Sequence, residues 1–204
     1  MVDETEIPEQ AQHHEHEGRH HPDGFRRLAA IYVGVVAMLL AISSLGGGQA
    51  TKQMLGASIR ASDSYSFAQA KYLRETAYDL AADQLEAQFT AYPSISDEAK
   101  ASMTALIAKY HAAAARYASD PKSGEGRREL LATAKDWEAV RDHAEAQDPN
   151  FQFAAALFQI AIVLASVAIA AASRPLLAVS AVSAACATLL TVNGFFLFVH
   201  LWGG

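Results

Sequence analysis

The chain has 204 residues and a formal net charge of −6, with 51% hydrophobic and 19% charged residues. This length suits one domain of ordinary size, and the composition taken as a whole fits a soluble protein. The acidic balance, with no basic block interleaved with aromatic residues, excludes a typical nucleic-acid-binding protein. The distribution of the charges along the chain, however, argues against a soluble protein.

Three long segments contain no Asp, Glu, Lys or Arg. These segments are 28–51, 151–173 and 175–204. A soluble core helix is amphipathic, whereas about 20 consecutive apolar residues cross the roughly 30 Å hydrocarbon layer of a bilayer. The sequence therefore predicts an all-α membrane protein whose three transmembrane helices lie at 28–48, 151–173 and 175–201. We interpret the first as a retained anchor, because its apolar part is longer than that of a signal peptide. A cleaved signal peptide is the alternative, because the small residues at 46–50 follow this stretch.

Residues 1–24 are predicted to be a disordered tail, since they are acidic and contain almost no large apolar side chains. The tail carries five clustered histidines, His13, His14, His16, His20 and His21. Imidazole binds Zn²⁺, Ni²⁺ and Cu²⁺, but a stable site needs ligands held on a rigid frame. We therefore predict no metal site and no cofactor, and expect a solvated tail whose charge rises below about pH 6.5. Weak metal or pH sensing is the alternative interpretation.

Residues 49–150 are predicted to form a helical extramembrane domain between the first and second spans. The glycines at 46–48 predict a break or kink where the first span ends. Beyond them, nine residues follow a heptad-like spacing that favours close helix–helix contact or a coiled coil. This α1 seam, as we call it below, consists of Ile59, Asp63, Ser66, Ala70, Leu73, Ala77, Leu80, Gln84 and Ala87.

Local signals divide the rest of that domain into further helices. A helix is predicted to start at 96–98, where acidic residues favour the first turn. Turn residues predict a loop at 120–126, and another helix is predicted from 127 to about 147. Residues 148–150 are then expected to lead into the second span. The pattern favours a small antiparallel helical bundle.

The second and third spans are separated only by residues 173–175, so they are expected to form a hairpin. Both spans carry small residues at close to four-residue spacing, which lets helices approach closely in lipid. They are Ala161, Ala165, Ala168 and Ala172 in one span, and Ser180, Ala184 and Thr188 in the other.

Basic residues near the spans predict the orientation of the chain. Arg26, Arg27 and Arg174 lie on the same side if there are three spans, and short basic segments favour the cytoplasm. The N-terminus is therefore predicted to be cytoplasmic and residues 49–150 periplasmic, in a bacterial inner membrane. Lys52 and Arg60 lie on the opposite side and reduce the contrast, so the inverted topology is the alternative.

The predicted spans contain no charged side chain, which argues against a proton-coupled transporter. Their deeper polar residues, Gln159, Thr191 and Asn193, are expected to hydrogen-bond between helices or to line a polar passage. The chain has no nucleophile elbow, phosphate-binding loop, dinucleotide fingerprint or zinc-ligand spacing. We therefore predict no catalytic residue and no enzymatic activity, and identify no small-molecule substrate.

One polar and aromatic strip is unusually specific. It comprises Asp63, Tyr65, Phe67, Gln69 and Lys71. On a helix, Asp63 and Lys71 are about 12 Å apart along the axis, too far to pair directly. Their partners are therefore expected on another helix or another subunit. We interpret the strip as a packing surface between helices or subunits, with a ligand or partner site as the alternative.

The segment 61–71 that contains this strip resembles the signature of a bacterial membrane family, domain of unknown function 4337. The similarity extends to the histidine-rich leader, the first span and the run at 157–162. The resemblance implies the same three-span layout and implies no mechanism.

These observations lead to one functional hypothesis and two alternatives. We expect a non-enzymatic inner-membrane protein, embedded in the lipid bilayer, that is a self-assembling homo-oligomeric scaffold or an accessory subunit of a membrane complex. The first alternative is an oligomeric channel or pore, lined by the polar residues of the spans. The second is an envelope metal or pH sensor that uses the histidine-rich tail.

Overall fold

A computed structural model of the chain describes residues 22–92 and 94–199. These residues form four helices and no strand: α1 is Pro22–Ala91, α2 is Asp97–Ala118, α3 is Arg127–Ala170 and α4 is Arg174–Phe196. The described part of the chain is all-helical, as expected. Three of the helices, α1, α3 and α4, contain stretches long and apolar enough to cross a membrane.

Helix α1 differs from the prediction because it continues without interruption through Gly46, Gly47 and Gly48. Two of these glycines, Gly46 and Gly47, allow close packing and do not break the helix. A Cβ atom on Gly46 would lie 2.6 Å from Cε1 of Phe151, and one on Gly47 would lie 3.1 Å from its Cβ. The lack of side chains at these two glycines therefore makes room for a phenylalanine from a distant part of the sequence. The helix also begins at Pro22, within the predicted tail.

Helix α3 is likewise continuous where a separate helix and a connection were predicted. It extends over 44 residues with Pro149 in its interior. Proline removes one backbone donor from a helix, and in this turn the Asn150 side-chain amide donates to the carbonyl of Ala146 at 3.0 Å. The span predicted at 151–173 is thus the second part of a longer helix.

The predicted starts of α2 and α3 agree with the structure. Ser96 caps α2, and its side chain accepts a hydrogen bond from the backbone N–H of Ala99. At the other end of the chain, α4 stops at Phe196, where Leu197 takes a left-handed conformation. This is five residues before the predicted end of the third span. The histidines of the predicted tail lie outside the described residues.

The described residues divide into two compact units, one within residues 1–49 and 146–204 and one within residues 50–145. We call them unit 1 and unit 2. Unit 1 has a core of small and apolar side chains, namely Val36, Ala154, Phe158, Ala161, Ala184 and Ala187. The small residues Ala165, Ala168 and Ser180 are also fully buried, which fits the close approach that their spacing predicts. Ala172 instead lies exposed in the turn after α3.

In unit 2, the side chains predicted to lie on the packed face of α2 are buried or half-buried. Ala114 is buried, and Met103, Leu106, Ile107, Tyr110 and Tyr117 are half-buried. In the part of α3 that belongs to unit 2, Ala134 and Ala144 are buried, and Trp137 is half-buried.

Candidate assembly surface and polar clusters

The face of α1 that packs within unit 2 is not the α1 seam. The packed face has its own spacing of three and four residues. Its buried members are Ala57, Ala61, Ser64, Ala68 and Ala82, and Lys71, Glu75 and Tyr78 between them are half-buried. The prediction that the α1 seam makes the helix–helix contacts is therefore wrong for contacts within this unit.

Charge pairing explains why the sequence pattern favoured the wrong face. Glu75 accepts two hydrogen bonds from Arg127, from Nε at 2.7 Å and from Nη2 at 3.2 Å. Lys71 Nζ lies 3.4 Å from Oε2 of Glu125. A bidentate guanidinium–carboxylate pair lets charged side chains sit on a packed face. Hydrophobicity along α1 does not reveal these partners, because both lie more than 50 residues away in sequence.

The α1 seam is exposed along its whole length. Ile59 and Leu73 are each 63% exposed, and Leu80 is 56% exposed. The other six members are also exposed. Single exposed leucines are ordinary on a protein surface. Large apolar residues at multiples of seven residues, separated by alanine and small polar residues, instead form a continuous stripe suited to another helix.

The strip from Asp63 to Lys71 is divided between different surroundings. Tyr65 donates its hydroxyl hydrogen to Oε2 of Glu138 at 3.0 Å, and this hydrogen bond raises the pKa of the tyrosine. Lys71 contacts Glu125, as described above. Asp63, Gln69 and Phe67 are exposed, Phe67 at 62%. The five side chains therefore do not form one site within the chain, and one of them, Asp63, belongs to the α1 seam.

The polar residues of the spans also separate. Asn193 is buried, and its amide donates to Oδ1 of Asn150 and to the carbonyl of Val199, each at 2.9 Å. Thr191 is buried and bonds to the carbonyl of Ala187 in its own helix. Gln159 instead lies on an exposed face of α3. Two of the three are thus used within unit 1, and one is available at its surface.

A hydroxyl network in unit 1 was not predicted from the sequence. Ser180 Oγ donates to the carbonyl of Ala161 at 2.6 Å, and its oxygen lies 2.9 Å from the hydroxyl of Tyr32. Ser43 Oγ donates to the carbonyl of Phe151. The available signal was the presence of serine in strongly apolar helices, where hydroxyls bond to backbone carbonyls.

An aromatic and cationic cluster in unit 2 was also not predicted from the sequence. The rings of Tyr78 and Tyr117 are stacked, with centroids 5.7 Å apart and planes 14° apart. Lys71 Nζ and Arg74 Cζ each lie 5.8 Å from the centroid of Tyr117. The sequence did place these residues on helices, but it gave no indication that α1 and α2 bring them together.

A family model described as a domain of unknown function (DUF4337) matches residues 25–197, which is most of the chain. The chain belongs to this family. The resemblance seen in the segment 61–71 is thereby confirmed. Searches of curated proteins and of solved structures gave no match to this DUF4337 chain.

The contacts described above are packing contacts, ion pairs and hydrogen bonds among the described residues. Among residues 22–92 and 94–199, no group of three or more His, Cys, Asp or Glu side chains is arranged to hold a metal ion. His111 has two carboxylate neighbours on α1, with Nδ1 at 3.8 Å from Asp79 and Nε2 at 3.2 Å from Glu86. This arrangement links α2 to α1.

Proposed function

We propose that this DUF4337 protein is a non-enzymatic membrane protein that assembles with copies of itself through the α1 seam. The supporting observation is the exposure of that seam, whose residues keep a heptad-like spacing while a neighbouring face of α1 makes the contacts within unit 2. Because the two faces are separate, α1 can pack within its own chain through one face and contact a second chain through the other.

The composition of the α1 seam suits a contact between identical helices. Alanines at 70, 77 and 87 let two backbones approach closely, while Leu73 and Leu80 supply the apolar surface. Full burial of a leucine side chain contributes about 1.5–3 kcal/mol. Copies inserted the same way in one membrane present α1 in parallel, and each leucine then meets its own equivalent in the partner.

Gln159 gives a second reason to expect contact between copies. Its amide lies on an exposed face of an apolar stretch of α3. A polar group facing hydrocarbon without a hydrogen-bond partner is unfavourable. The same residue in a neighbouring copy can both donate and accept, and side-chain amides hydrogen-bond between helices in membranes.

The proposal includes the layout of the chain. Three spans anchor a helical domain in a bacterial inner membrane, with the N-terminus cytoplasmic and residues 49–150 periplasmic. Arg26, Arg27 and Arg174 support this orientation. Within unit 2, Arg60 contacts Trp137, and Glu75 contacts Arg127. Later residues of α1 therefore contact earlier residues of α3. These contacts support an antiparallel bundle.

The accessory-subunit form of the hypothesis and the two alternatives receive less support. An accessory subunit would use the same exposed face for a different partner, so the composition of the complex distinguishes it from self-assembly. A pore lined by Gln159, Thr191 and Asn193 is less favoured, because two of these residues are buried and hydrogen-bonded within their own unit. The proposed metal or pH sensor depends on histidines outside the described residues.

Two charges placed on the α1 seam test the proposal. The variant Leu73→Glu with Leu80→Glu puts like charges opposite each other in a parallel pair, so we expect oligomers to dissociate into monomers. The measurement is the mass of the full chain in uncharged detergent, by light scattering or native mass spectrometry.

The matched control is Ala132→Glu with Ala139→Glu, which puts the same two charges at the same spacing on exposed positions of α3. This control should keep the oligomer mass of the unaltered chain. Unchanged helix content in circular dichroism separates dissociation from unfolding. An unaltered chain that is already monomeric, or equal masses for the two double variants, would contradict the proposal.

A further inference from the structure

A cavity of about 400 Å³ in unit 2 lies among α1, α2 and the loop that follows α2. Its volume is within the range of sites that bind small molecules. It is lined by Lys71, Arg74, Tyr78, Ala113, Arg116, Tyr117, Asp120, Ser123 and Glu125. Three cationic side chains and two tyrosines therefore share one cavity in a chain whose net charge is negative.

The cations of this cavity differ in how they are paired. Arg116 Nε lies 3.2 Å from Oδ2 of Asp120, and Lys71 Nζ lies 3.4 Å from Oε2 of Glu125. Arg74 has no ion pair within the described part of the chain and contacts the ring of Tyr117. A guanidinium held over an aromatic ring keeps its planar set of donors available to an anion.

The two carboxylates of the cavity are held differently. Asp120 is only 18% exposed at its side chain, and hydrogen bonds from Ser123 and Arg116 lower its pKa. It is thus fixed as part of the loop. Glu125 is 72% exposed, although Lys71, to which it pairs, is only 21% exposed. The residue before it, Gly124, has a φ of +71°, which glycine adopts without strain.

We propose that this cavity binds a phosphoryl anion, either phosphate or a phosphate ester, and that Glu125 occupies the place of that anion on Lys71 when the ligand is absent. Lys71 and Arg74, the two cations held beside the Tyr117 ring, bind the anion through donors that face away from the ring, and Arg116 adds positive charge at the rim. A phosphoryl group has enough acceptor oxygens for donors that come from two helices, whereas a carboxylate is satisfied by one bidentate arginine. The proposal is independent of self-assembly, because every residue that it uses belongs to one chain.

Binding of radiolabelled inorganic phosphate to the full chain reconstituted in phosphatidylcholine bilayers tests the proposal. We expect saturable binding that weakens about tenfold or more in Arg74→Gln, since a charge-assisted hydrogen-bond donor is lost. Arg74→Lys should fall between, because it keeps the charge and loses the planar fork. Glu125→Gln should bind several-fold more tightly, because the competing carboxylate is removed.

Lys122→Gln is the control, since it removes one positive charge from the same loop at a position outside the cavity lining. Its affinity should stay within about twofold of the unaltered chain. Bilayers that also contain phosphatidic acid identify the source of the anion. Loss of labelled phosphate there assigns the cavity to a lipid phosphate. Retention assigns it to a soluble phosphate, and we expect retention because Lys71 and Arg74 lie more than 20 residues beyond the predicted end of the first span on the continuous helix α1.

Absence of saturable binding in phosphatidylcholine would overturn the proposal. Equal weakening in Arg74→Gln and Lys122→Gln would also overturn it, because it would reveal attraction to the surface charge alone. Arg74 is exposed and unpaired with any carboxylate of the described residues, so its replacement should leave the helix content unchanged. Circular dichroism of each variant checks that point, and the mass measurement of the previous section is not affected by either result.

Discussion

The interactions that stabilise unit 1 internally differ from those that stabilise unit 2 internally. In unit 1, hydroxyls donate to backbone carbonyls, as Ser180 does to Ala161, and small residues let helices touch. In unit 2, charged and aromatic side chains meet, as Arg127 does with Glu75. Apolar helices gain little hydrophobic energy from contact with one another in lipid, so close packing and hydrogen bonds must replace it. In water, long charged side chains can cover and pair across helices.

The first prediction concerns backbone approach in unit 1 and has the largest expected effect. Gly46→Ala places a Cβ atom 2.6 Å from Phe151, whose ring also contacts Gly194 and Phe195. Since the ring is confined on several sides, we expect a loss of about 1–3 kcal/mol from the free energy of unfolding. Thermal unfolding in uncharged detergent measures it.

Gly48→Ala is the matched control, because nothing lies within 4 Å of the position that its Cβ would occupy. Alanine is a better helix former than glycine, so this variant should gain up to about 1 kcal/mol. Equal stability of the two variants would show that the glycines of α1 do not act through Phe151.

The second prediction concerns ion pairing in unit 2. Arg127→Lys keeps the charge but loses the bidentate contact with Glu75, so we expect a loss of about 1 kcal/mol. The loss should shrink at high salt, whereas the effect of Gly46→Ala should not change. Arg128→Lys, an exposed neighbour, should have no measurable effect. If the stability lost in Arg127→Lys did not depend on salt, the claim that ion pairing stabilises unit 2 would be contradicted.

The smallest expected effect concerns the loop between α2 and α3. Ser119 Oγ donates to Glu129 at 2.5 Å and the backbone N–H of Asp120 donates at 3.1 Å, and the serine hydrogen bond is the main cause of a lowered pKa of the glutamate. The stabilisation is therefore complete above the ordinary glutamate pKa of about 4.3 and is lost as the pH falls through the lowered value.

Hydrogen-exchange protection of residues 119–126 measures this loss. Protection in the unaltered chain should fall between neutral and strongly acidic pH. Much of that pH dependence should disappear in Glu129→Gln, and the remainder comes from Asp120, whose pKa is lowered too. Identical pH profiles for the two proteins would contradict the assignment to Glu129.

Features with local signals were predictable from the sequence. The start of α2 follows from Ser96 and the acids after it, and the three apolar stretches follow from their lack of charge. The continuity of α1 was not predictable, because Gly46 and Gly47 pack against Phe151, more than 100 residues away. The packed face of α1 was not predicted for a similar reason, since Glu75 is neutralised by a residue of another helix.

The candidate site shows the same division. The strip around Phe67 was identified from its residue types and spacing, yet its side chains separate into exposed and packed groups only in three dimensions. The cavity around Arg74 brings α1 and α2 together. No sequence pattern within α1 or α2 predicts that the two helices contact each other at this cavity.

The central claim is that the chain assembles with copies of itself, and its mass in native lipid tests this most directly. The full chain extracted with surrounding membrane lipid, without conventional detergent, should have a mass equal to an integer multiple of its own, with no stoichiometric companion protein. A single chain under these conditions, or a fixed complex with another protein, would contradict the claim.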